Sequence, residues 1–306
     1  MSKMKKKIVI AGGTGFVGQF LAQKFKSLGY EVMIISRQPG HVSWDNSVLI
    51  IESLESAEML INLAGRSVDC RYNEKNKKEI YDSRINTTKI LGDAILKCTD
   101  PPPLWINSST ATIYRHAEDR PMTESNGEIG SGFSVNVATN WEKSFFDFKL
   151  PATRQAALRM AIVLGKEGGV IKPLKNLVRF GLGGKQGKGS QMFSWIHNED
   201  LFRIIIFIQQ HPELSGVINT AAPNPVNNKT LMQLLRKHMG AFFGLSSPGW
   251  LLRIGAIIIK TETELILKSR WVVPERLLKT GFQFNYPTLD QALKNILNNK
   301  VPEPIQ

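Results

Sequence analysis

The most constraining feature of this 306-residue chain is a run of glycines close to its start. The segment IVIAGGTGFVGQFLAQKF, residues 8–25, places Gly12, Gly15 and Gly18 between a short apolar stretch and an amphipathic one. In such a setting the first glycine permits a sharp turn, the second lets a diphosphate approach the backbone, and the third lets helix and strand pack closely. The free N–H groups and the dipole at a helix start favour negative charge. The segment therefore predicts a dinucleotide-binding turn between a first strand and a first helix.

The end of the second predicted strand indicates which dinucleotide is bound. This strand ends in Ser36-Arg37, and no carboxylate lies between Val32 and Asp45. Sites specific for NAD usually place an acidic residue there against the ribose 2′-hydroxyl, whereas an arginine accommodates the 2′-phosphate of NADP(H). Arg37 therefore favours NADP(H). A surface arginine without a ligand is the alternative.

Strand-like and helix-like segments alternate through the first half of the chain and recur near residues 200–222. Continuous apolar strands separated by helices are typical of a parallel sheet that is covered on both faces. We therefore expect an α/β fold with a Rossmann-type, doubly wound parallel sheet. The predicted strands are Ile8–Ala11, Glu31–Ser36, Met59–Leu63, Leu104–Asn107, Ala156–Leu164 and Gly216–Ala222, and the predicted helices are Phe16–Leu28, about Glu74 to Lys97, Val137–Phe148 and Asp200–Gln210.

The pattern changes beyond Gly165. The loop GLGGKQGKG, residues 181–189, holds five glycines and two lysines and is expected to be mobile. Most of the remaining chain has helical periodicity, including a short segment introduced by a proline at Pro274–Lys279. We therefore assign residues 1–225 to the dinucleotide-binding domain, with the loop as an excursion, and residues 226–306 to a smaller, mostly helical C-terminal lobe.

Composition narrows the choice of partners. Lysine and arginine number 39 against 26 acidic residues, a net charge of +13 that favours anionic partners, but the lysines are scattered along the chain. We expect no nucleic-acid partner, because no basic stripe is interleaved with aromatic residues. Cys70, Cys98 and the histidines lack the spacing of metal ligands, so we expect no metal site. The apolar stretch Trp250–Ile259 is too short to span a bilayer and no signal peptide is evident, which favours a cytoplasmic protein without a membrane partner.

Several motifs, spread over almost the whole chain, resemble those of one family. The chain is similar to the atypical extended short-chain dehydrogenases/reductases. More narrowly, it resembles the NAD(P)-dependent epimerase-like family whose members end in a C-terminal domain of unknown function. The motifs that carry the resemblance are GGTGFVG at 12–18, SRQPG at 36–40, NLAG at 62–65, SRINTT at 83–88, GLGGKQGKG at 181–189, WIHNED at 195–200 and VVPERLLKTGF at 272–282.

The resemblance implies an NADP(H) site built from several segments. Glu79 and Arg84 match residues that face the cofactor in relatives. They lie five apart on a predicted helix, so a solvated surface pair is the alternative. The other implied residues are Gly12, Thr14, Gly15, Phe16, Val17 and Gly18 in the phosphate loop, Ser36 and Arg37 at the adenosine 2′-phosphate, and Leu63, Ala64 and Gly65 beside the adenine and ribose.

The chain departs from the family pattern at the acid–base residues. Typical short-chain dehydrogenases carry Tyr-x-x-x-Lys, in which the lysine lowers the tyrosine pKa so that it exchanges a proton with the substrate oxygen. None of the five tyrosines here has a lysine four positions later, and the helix where the pair belongs offers Ser134 and Ala138. The resemblance leaves Thr110 to hydrogen-bond a substrate carbonyl, with Tyr114 and His197 as further candidate proton donors. The alternatives are that Thr110 finishes a strand, that Tyr114 packs with its hydroxyl at the surface, and that His197 caps a turn before Glu199-Asp200.

We expect an NADP(H)-dependent oxidoreductase that acts on an unidentified small molecule, since the cofactor itself carries hydride chemistry. The glycine-rich loop is a candidate gate that brings Lys185 or Lys188 to an anionic substrate; a solvent-exposed hairpin is the alternative. Two other functions stay open. One is a nucleotide-sugar epimerase, which the missing tyrosine disfavours, and the other is a non-catalytic NADP(H)-binding regulator. The sequence leaves the substrate, the reaction direction and the oligomeric state open.

Overall fold

The computed structural model describes residues 6–248 and 268–297, and a six-stranded sheet runs through its centre. The strands are β1 (Lys7–Ala11), β2 (Glu31–Ile35), β3 (Met59–Asn62), β4 (Leu104–Thr110), β5 (Arg154–Met160), β6 (Ile162–Leu164), β7 (Met192–Phe193), β8 (Trp195–His197), β9 (Gly216–Thr220) and β10 (Val226–Asn227). The central sheet has the order β2-β1-β3-β4-β5-β9, and every neighbouring pair in it is parallel. The predicted α/β fold with a Rossmann-type parallel sheet is confirmed.

Helices cover both faces of this sheet. The helices of the described residues are α1 (Phe16–Ser27), α2 (Ser47–Leu54), α3 (Glu74–Ile95), α4 (Phe133–Phe146), α5 (Ile171–Arg179), α6 (Asn198–Gln210), α7 (Asn228–Met239), α8 (Glu275–Lys279) and α9 (Leu289–Leu297), and a 3₁₀ turn spans Ala111–Ile113. Ile8 and Ile10 of β1 pack with α1 and α6, whereas Val9 and Ala11 pack with α2, α3 and α4. Because both faces are buried, a strand of this sheet is apolar throughout rather than alternating.

The strand order creates a crevice between β1 and β3. From β1 the chain crosses to β2 on one side and then returns to β3 on the other, so the connections diverge at the carboxyl ends of β1 and β3. In open parallel sheets, ligands bind in the crevice where the connections diverge. The glycine turn after β1 and the segment after β3 both lie at this crevice.

Some element boundaries differ from those that the sequence predicts. Helix α4 begins at Phe133, four residues before the predicted start at Val137, directly after Gly132 with its φ of +100°. The predicted strand 156–164 is divided at Ala161, where β5 ends and the chain leaves the central sheet to pair β6 with β8. Helices α2 and α5 are not anticipated, because eight or nine residues repeat the helical period only about twice.

A further hydrophobic cluster lies among α5, α7 and α9. Leu231 and Leu235 of α7 pack there with Leu289 and Leu293 of α9 and with Val178 of α5. Helices α7, α8 and α9 agree with the mostly helical character predicted for the C-terminal lobe, while the boundary between residues 225 and 226 stays a prediction. The apolar stretch at 250–259 lies outside the described residues. Among the helices that the structure describes, none is long and apolar enough to cross a membrane.

The glycine-rich loop 181–189 makes backbone hydrogen bonds to the segment that follows α7, and its mobility stays a prediction. The Gly184 N–H donates to the Leu245 carbonyl at 3.0 Å, and the Leu245 N–H donates to the Gly181 carbonyl at 2.7 Å. A Cβ on Gly184 would lie 2.5 Å from the backbone N of Ser246. Gly184 therefore serves the close approach of two backbone segments.

Candidate functional site

Two glycines of the turn after β1 have no room for a side chain. Gly12 has a φ of +76°, and a Cβ there would lie 2.8 Å from the amide N of Ala64. A Cβ on Gly18 would lie 2.6 Å from the Cα of Gly13. The first contact joins the turn to the segment after β3, and the second lets α1 start directly against the turn.

Gly15 differs from these two because the space in front of it is open. The nearest described atom to a Cβ on Gly15 would be the Gly12 carbonyl oxygen, at 3.6 Å. Gly15 also caps α1 without a side chain that could accept its first hydrogen bonds. The first N–H groups of a helix lack intrahelical acceptors and favour an anion. The turn thus combines an open front with the donors that a diphosphate requires.

Ser36 and Arg37 follow β2 at the same edge of the sheet. The Ser36 hydroxyl is buried, lies 3.2 Å from Thr14 Oγ1 and accepts the Gln38 N–H at 3.1 Å. It therefore ties the end of β2 to the glycine turn. Arg37 is exposed, and within the described part of the chain no group makes a hydrogen bond or ion pair with its guanidinium. This guanidinium is accessible to a phosphate, which arginine binds with paired N–H donors.

Arg66 joins the segment after β3 to α3. Its guanidinium pairs with Glu79 and donates to Asn76 Oδ1 at 3.0 Å. Its backbone N–H donates to Ser83 Oγ at 2.9 Å, and its carbonyl accepts from Arg84 Nη1 at 3.1 Å. Arg66 is not among the residues predicted from the sequence. Its position directly after the NLAG motif is the one signal that could have found it.

Glu79 and Arg84 are brought to the same segment but not to each other. Arg84 donates to the Ile80 carbonyl at 2.9 Å, its Cζ lies 5.2 Å from the centre of the Trp141 ring, and a Cβ on Gly65 would lie 3.1 Å from that Cζ. Burial lowers the pKa of Arg84 to about 10, so it stays protonated near neutral pH. Both side chains support the segment expected beside the adenine. Their direct contact with a cofactor stays a prediction.

A buried pair of amides holds the backbone after β3. Asn62 Nδ2 donates to Asn107 Oδ1 at 2.7 Å, and Asn62 Oδ1 accepts the Ala64 N–H at 3.0 Å. The two asparagines face each other in the register of β3 and β4, and neither is exposed. Because each buried amide finds a partner, this polar pair is tolerated in the core. It keeps Ala64 against Gly12.

Thr110 is the last residue of β4, at the edge where the crevice opens. Its Oγ1 accepts the Thr112 N–H at 3.1 Å and so caps the 3₁₀ turn. A hydroxyl also carries a proton of its own, and this contact does not use it. Thr110 is partly exposed. It therefore combines a strand-end role with a hydroxyl that can donate to a substrate oxygen.

Tyr114 lies in the interior, only 1% exposed. Its hydroxyl donates to Asn219 Oδ1 at 2.8 Å and accepts from Arg159 Nη1 at 2.9 Å. Arg159 also pairs with Glu142, whose Oε1 accepts from Ser109 Oγ at 2.6 Å. Burial raises the pKa of Tyr114, although Arg159 opposes the shift. This packing disfavours Tyr114 as a proton donor to substrate, and its catalytic role stays a prediction.

His197 caps α6, as the turn-cap alternative holds. Its Nδ1 accepts the Glu199 N–H at 3.1 Å, so Nε2 carries the proton and donates to Asn295 Oδ1 at 3.2 Å. The ring stacks on Tyr286 with 3.9 Å between centres. Burial lowers the pKa of His197 to about 4. The imidazole is therefore neutral near pH 7 and is engaged at both nitrogens.

Comparison with known proteins agrees with the motifs. The NAD dependent epimerase/dehydratase family matches residues 8–132, and a domain of unknown function, DUF1731, matches residues 247–296. The human epimerase family protein SDR39U1 is 34% identical over 300 residues, which cover 95% of this chain and 99% of the relative. Epimerase family protein YfhF of Bacillus subtilis is 30% identical over 308 residues, which cover 96% of this chain and 98% of the relative.

Solved structures extend this similarity to the fold. The crystal structure of human epimerase family protein SDR39U1 (isoform 2) with NADPH has a TM-score of 0.86 and 32% identity, covering 96% of this chain and 100% of the human one. A nucleoside-diphosphate sugar epimerase from Corynebacterium glutamicum has a TM-score of 0.76 and 28% identity, covering 96% of this chain and 58% of its own. The chain therefore belongs to the SDR39U1-like epimerase family, an atypical branch of the short-chain dehydrogenases/reductases.

Proposed function

We propose that this chain binds NADP(H) in the crevice between β1 and β3 and uses it to reduce or oxidise a small molecule. The observation that carries the proposal is the open front of Gly15 between the tightly packed Gly12 and Gly18. Arg37, exposed at the end of β2, supports the phosphorylated form of the cofactor. The human relative crystallised with NADPH supports the same choice.

In this proposal each part of the dinucleotide is held by one segment. The backbone N–H groups of the glycine turn hold the diphosphate, because a helix start offers donors and a favourable dipole. Glu79 and Arg84, which both contact Arg66, are assigned to the adenine side of the cofactor. The residues assigned to cofactor contact are Gly12, Thr14, Gly15, Phe16, Val17 and Gly18 at the diphosphate, Ser36 and Arg37 at the 2′-phosphate, and Leu63, Ala64 and Gly65 at the adenine and ribose.

The chain must orient the second reactant and provide a proton. NADPH, when bound, supplies the hydride. Thr110 donates a hydrogen bond to the substrate oxygen while its Oγ1 stays fixed by the Thr112 N–H. The proton that the reduced oxygen takes comes through this hydroxyl and is replaced from solvent water. In place of the usual tyrosine and lysine, α4 carries Ser134 and Ala138. We therefore expect slower proton transfer than in relatives that keep the pair, since a positioned acid contributes about 10²–10⁴-fold.

Two other functions compete with this one. A nucleotide-sugar epimerase must deprotonate a sugar hydroxyl reversibly, so the missing tyrosine counts against it. A non-catalytic NADP(H)-binding regulator is favoured by Tyr114, whose hydroxyl is engaged by Asn219 and Arg159 inside the protein. An oxidoreductase remains our preferred function because hydride transfer needs a positioned acceptor rather than the tyrosine.

One experiment separates the three. Purified protein is mixed with NADPH and a panel of aldehydes, ketones and quinones, and the absorbance of the reduced nicotinamide is followed. We expect turnover with at least one acceptor, and Thr110→Val should slow it at least about tenfold without weakening NADPH binding. Thr99→Val, an exposed threonine elsewhere, is the matched control. Tight NADPH binding without turnover would favour the regulator, and interconversion of nucleotide sugars would favour the epimerase.

Two narrower expectations also stay proposals. Lys185 and Lys188 of the glycine-rich loop are exposed and could meet an anionic substrate. Replacing both with alanine should then raise KM for an anionic acceptor but not for a neutral one. An unchanged KM for the anionic acceptor would contradict this proposal.

A cytoplasmic location is the second proposal. An Arabidopsis relative is named as chloroplastic, so fractionation of the source cells is the test.

A further inference from the structure

Four large apolar side chains are exposed beside one another near the ends of α5 and α7. Phe180 is 79% exposed, Phe242 102%, Phe243 71% and Leu245 63%. No other phenylalanine in the described part of the chain is comparably exposed. We name these four residues the aromatic patch. Contiguous exposed apolar side chains mark an interaction surface, whereas scattered single ones need no explanation.

The aromatic patch is formed by residues from two separate parts of the chain. Phe180 follows α5, whereas the other three residues follow α7. Gly181 joins the two regions: its carbonyl accepts the Leu245 N–H at 2.7 Å, and a Cβ on it would lie 3.7 Å from Cε2 of Phe243. Arg236 of α7 also donates to the Gly183 carbonyl. Backbone contacts therefore hold Phe180, Phe243 and Leu245 on one surface, and Phe242 is the chain neighbour of Phe243.

The two chain stretches that form this surface carry no acidic residue. Residues 168–198 contain five lysines and arginines and no Asp or Glu, and residues 214–248 contain three and none. A carboxylate from elsewhere, Asp290, pairs with Lys237 at 2.9 Å. The chain segments that carry the aromatic patch are therefore basic in composition, with eight lysines and arginines and no carboxylate.

Helix α5 presents a row of cations that leads to the patch. Lys172, Lys175 and Arg179 are three and four residues apart, so they share one side of the helix. Ile171 and Val178 are buried, and they lie four and three residues from Lys175, so Lys175 borders the packed side of the helix. Lys172 and Arg179 are exposed and Lys175 partly so, and none of the three makes an ion pair with a described residue. Arg179, the last residue of the row, directly precedes Phe180 in the chain.

We propose that this surface docks on an anionic lipid bilayer. The aromatic patch enters the interfacial region, and the cations of α5 meet the headgroup phosphates and carboxylates. Aromatic side chains favour this interface, basic amphipathic helices lie in its plane, and an anionic leaflet attracts each nearby Lys or Arg.

Other occupants fit less well. A nucleic acid would use the cations, but four clustered apolar side chains on one side of them are not a base-stacking groove. A second copy of the chain in a two-fold dimer would place the same basic row opposite itself, and like charges repel. The sequence predicts no membrane partner because the apolar stretch 250–259 is too short to span a bilayer and no signal peptide is evident. Docking on a bilayer surface requires no spanning helix, and the proposal differs from that expectation on this ground.

The test uses the full chain and flotation with phosphatidylcholine vesicles, with and without phosphatidylserine. We expect binding to the anionic vesicles alone, weakened by salt. Phe180→Ser with Phe243→Ser should lower it at least about tenfold, because interfacial binding scales with buried apolar area. The matched control is Leu28→Ser with Leu96→Ser, which removes apolar side chains that are 59% and 57% exposed elsewhere. It should bind like the unchanged protein.

A charge variant tests the second half of the proposal independently. Lys172→Glu with Arg179→Glu should lower vesicle binding at least about tenfold, whereas Lys75→Glu with Lys97→Glu, which changes the net charge equally at exposed positions, should have a small effect. Equal losses for both pairs would overturn the proposal, as would equal binding to neutral vesicles. It would also be overturned by preferential binding to duplex DNA, or by a dimer that the two Phe→Ser changes dissociate without any vesicle binding. None of these readouts depends on NADP(H).

Discussion

The guanidinium of Arg159 and the carboxylate of Glu142 form a two-point ion pair inside the protein. Arg159 Nε lies 2.8 Å from Glu142 Oε1, and Nη2 lies 2.7 Å from Oε2. The two side chains are only 12% and 10% exposed. Ser109, Arg159 and Asn219 occupy the same level of β4, β5 and β9. The pair is therefore part of a row of polar side chains that runs across the sheet, one residue before Thr110 in β4.

Removing the carboxylate of this pair should be strongly destabilising. Glu142→Ala leaves the Arg159 charge buried without its partner, and we expect a loss of about 3–5 kcal/mol in the free energy of unfolding, measured with urea. Glu142→Gln, which keeps the shape and one acceptor, should lose less. Glu58→Ala, which breaks a pair with Lys6 that is 3.3 Å long and open to solvent, should cost about 0–1 kcal/mol. Equal losses at Glu142 and Glu58 would contradict the claim that burial makes the Glu142–Arg159 pair costly to break.

The pKa of His197 predicts that stability falls in mild acid. Burial lowers this pKa from 6.5 to about 4 in the folded protein, so between these values the unfolded chain binds the proton more readily. The histidine's contribution is complete above pH 6.5 and is lost as the pH falls towards 4, about 3 kcal/mol in all.

This contribution can be isolated with one variant. His197→Asn keeps a side chain that caps a helix but does not titrate. Urea unfolding at about pH 7 and about pH 5 should show a larger drop for the unchanged protein than for the variant. The same drop in both would mean that His197 is not the group responsible.

Two glycine substitutions separate packing from ligand binding in the turn after β1. Gly15→Ala meets nothing closer than 3.6 Å among the described atoms, so stability should change by less than about 1 kcal/mol. Its methyl group would occupy the open front, and we expect NADPH affinity to fall at least about tenfold. Gly12→Ala, at a φ of +76° and 2.8 Å from Ala64 N, should lower the melting temperature itself. If Gly15→Ala left the NADPH affinity measured by calorimetry unchanged, the diphosphate would lie elsewhere.

The glycine turn and the sheet could be predicted from sequence because their signals are local. Gly12, Gly15 and Gly18 lie within one turn and one helix start, and the apolar strands are continuous runs. The two tight glycines and the open one could not be told apart, since the neighbours that decide this, such as Ala64, come from another strand.

The hydrogen-bond partners of the candidate catalytic residues could not be predicted from the sequence for a related reason. Tyr114 follows Thr110 closely in the chain, yet its hydroxyl is engaged by Asn219, which is far away in sequence. The sequence leaves His197 as a candidate proton donor, whereas in the structure its two nitrogens are engaged by Glu199 and Asn295. A motif identifies which residue types are present, and partners from distant segments determine whether a proton can reach solvent.

The most direct test of the account is calorimetric titration of the purified chain with NADPH and with NADH. We predict measurable heat with NADPH, tighter binding of NADPH than of NADH, and a loss of that preference in Arg37→Asp, because a carboxylate at the end of β2 repels a 2′-phosphate. No heat with either nucleotide, or an unchanged ratio of affinities in Arg37→Asp, would contradict it.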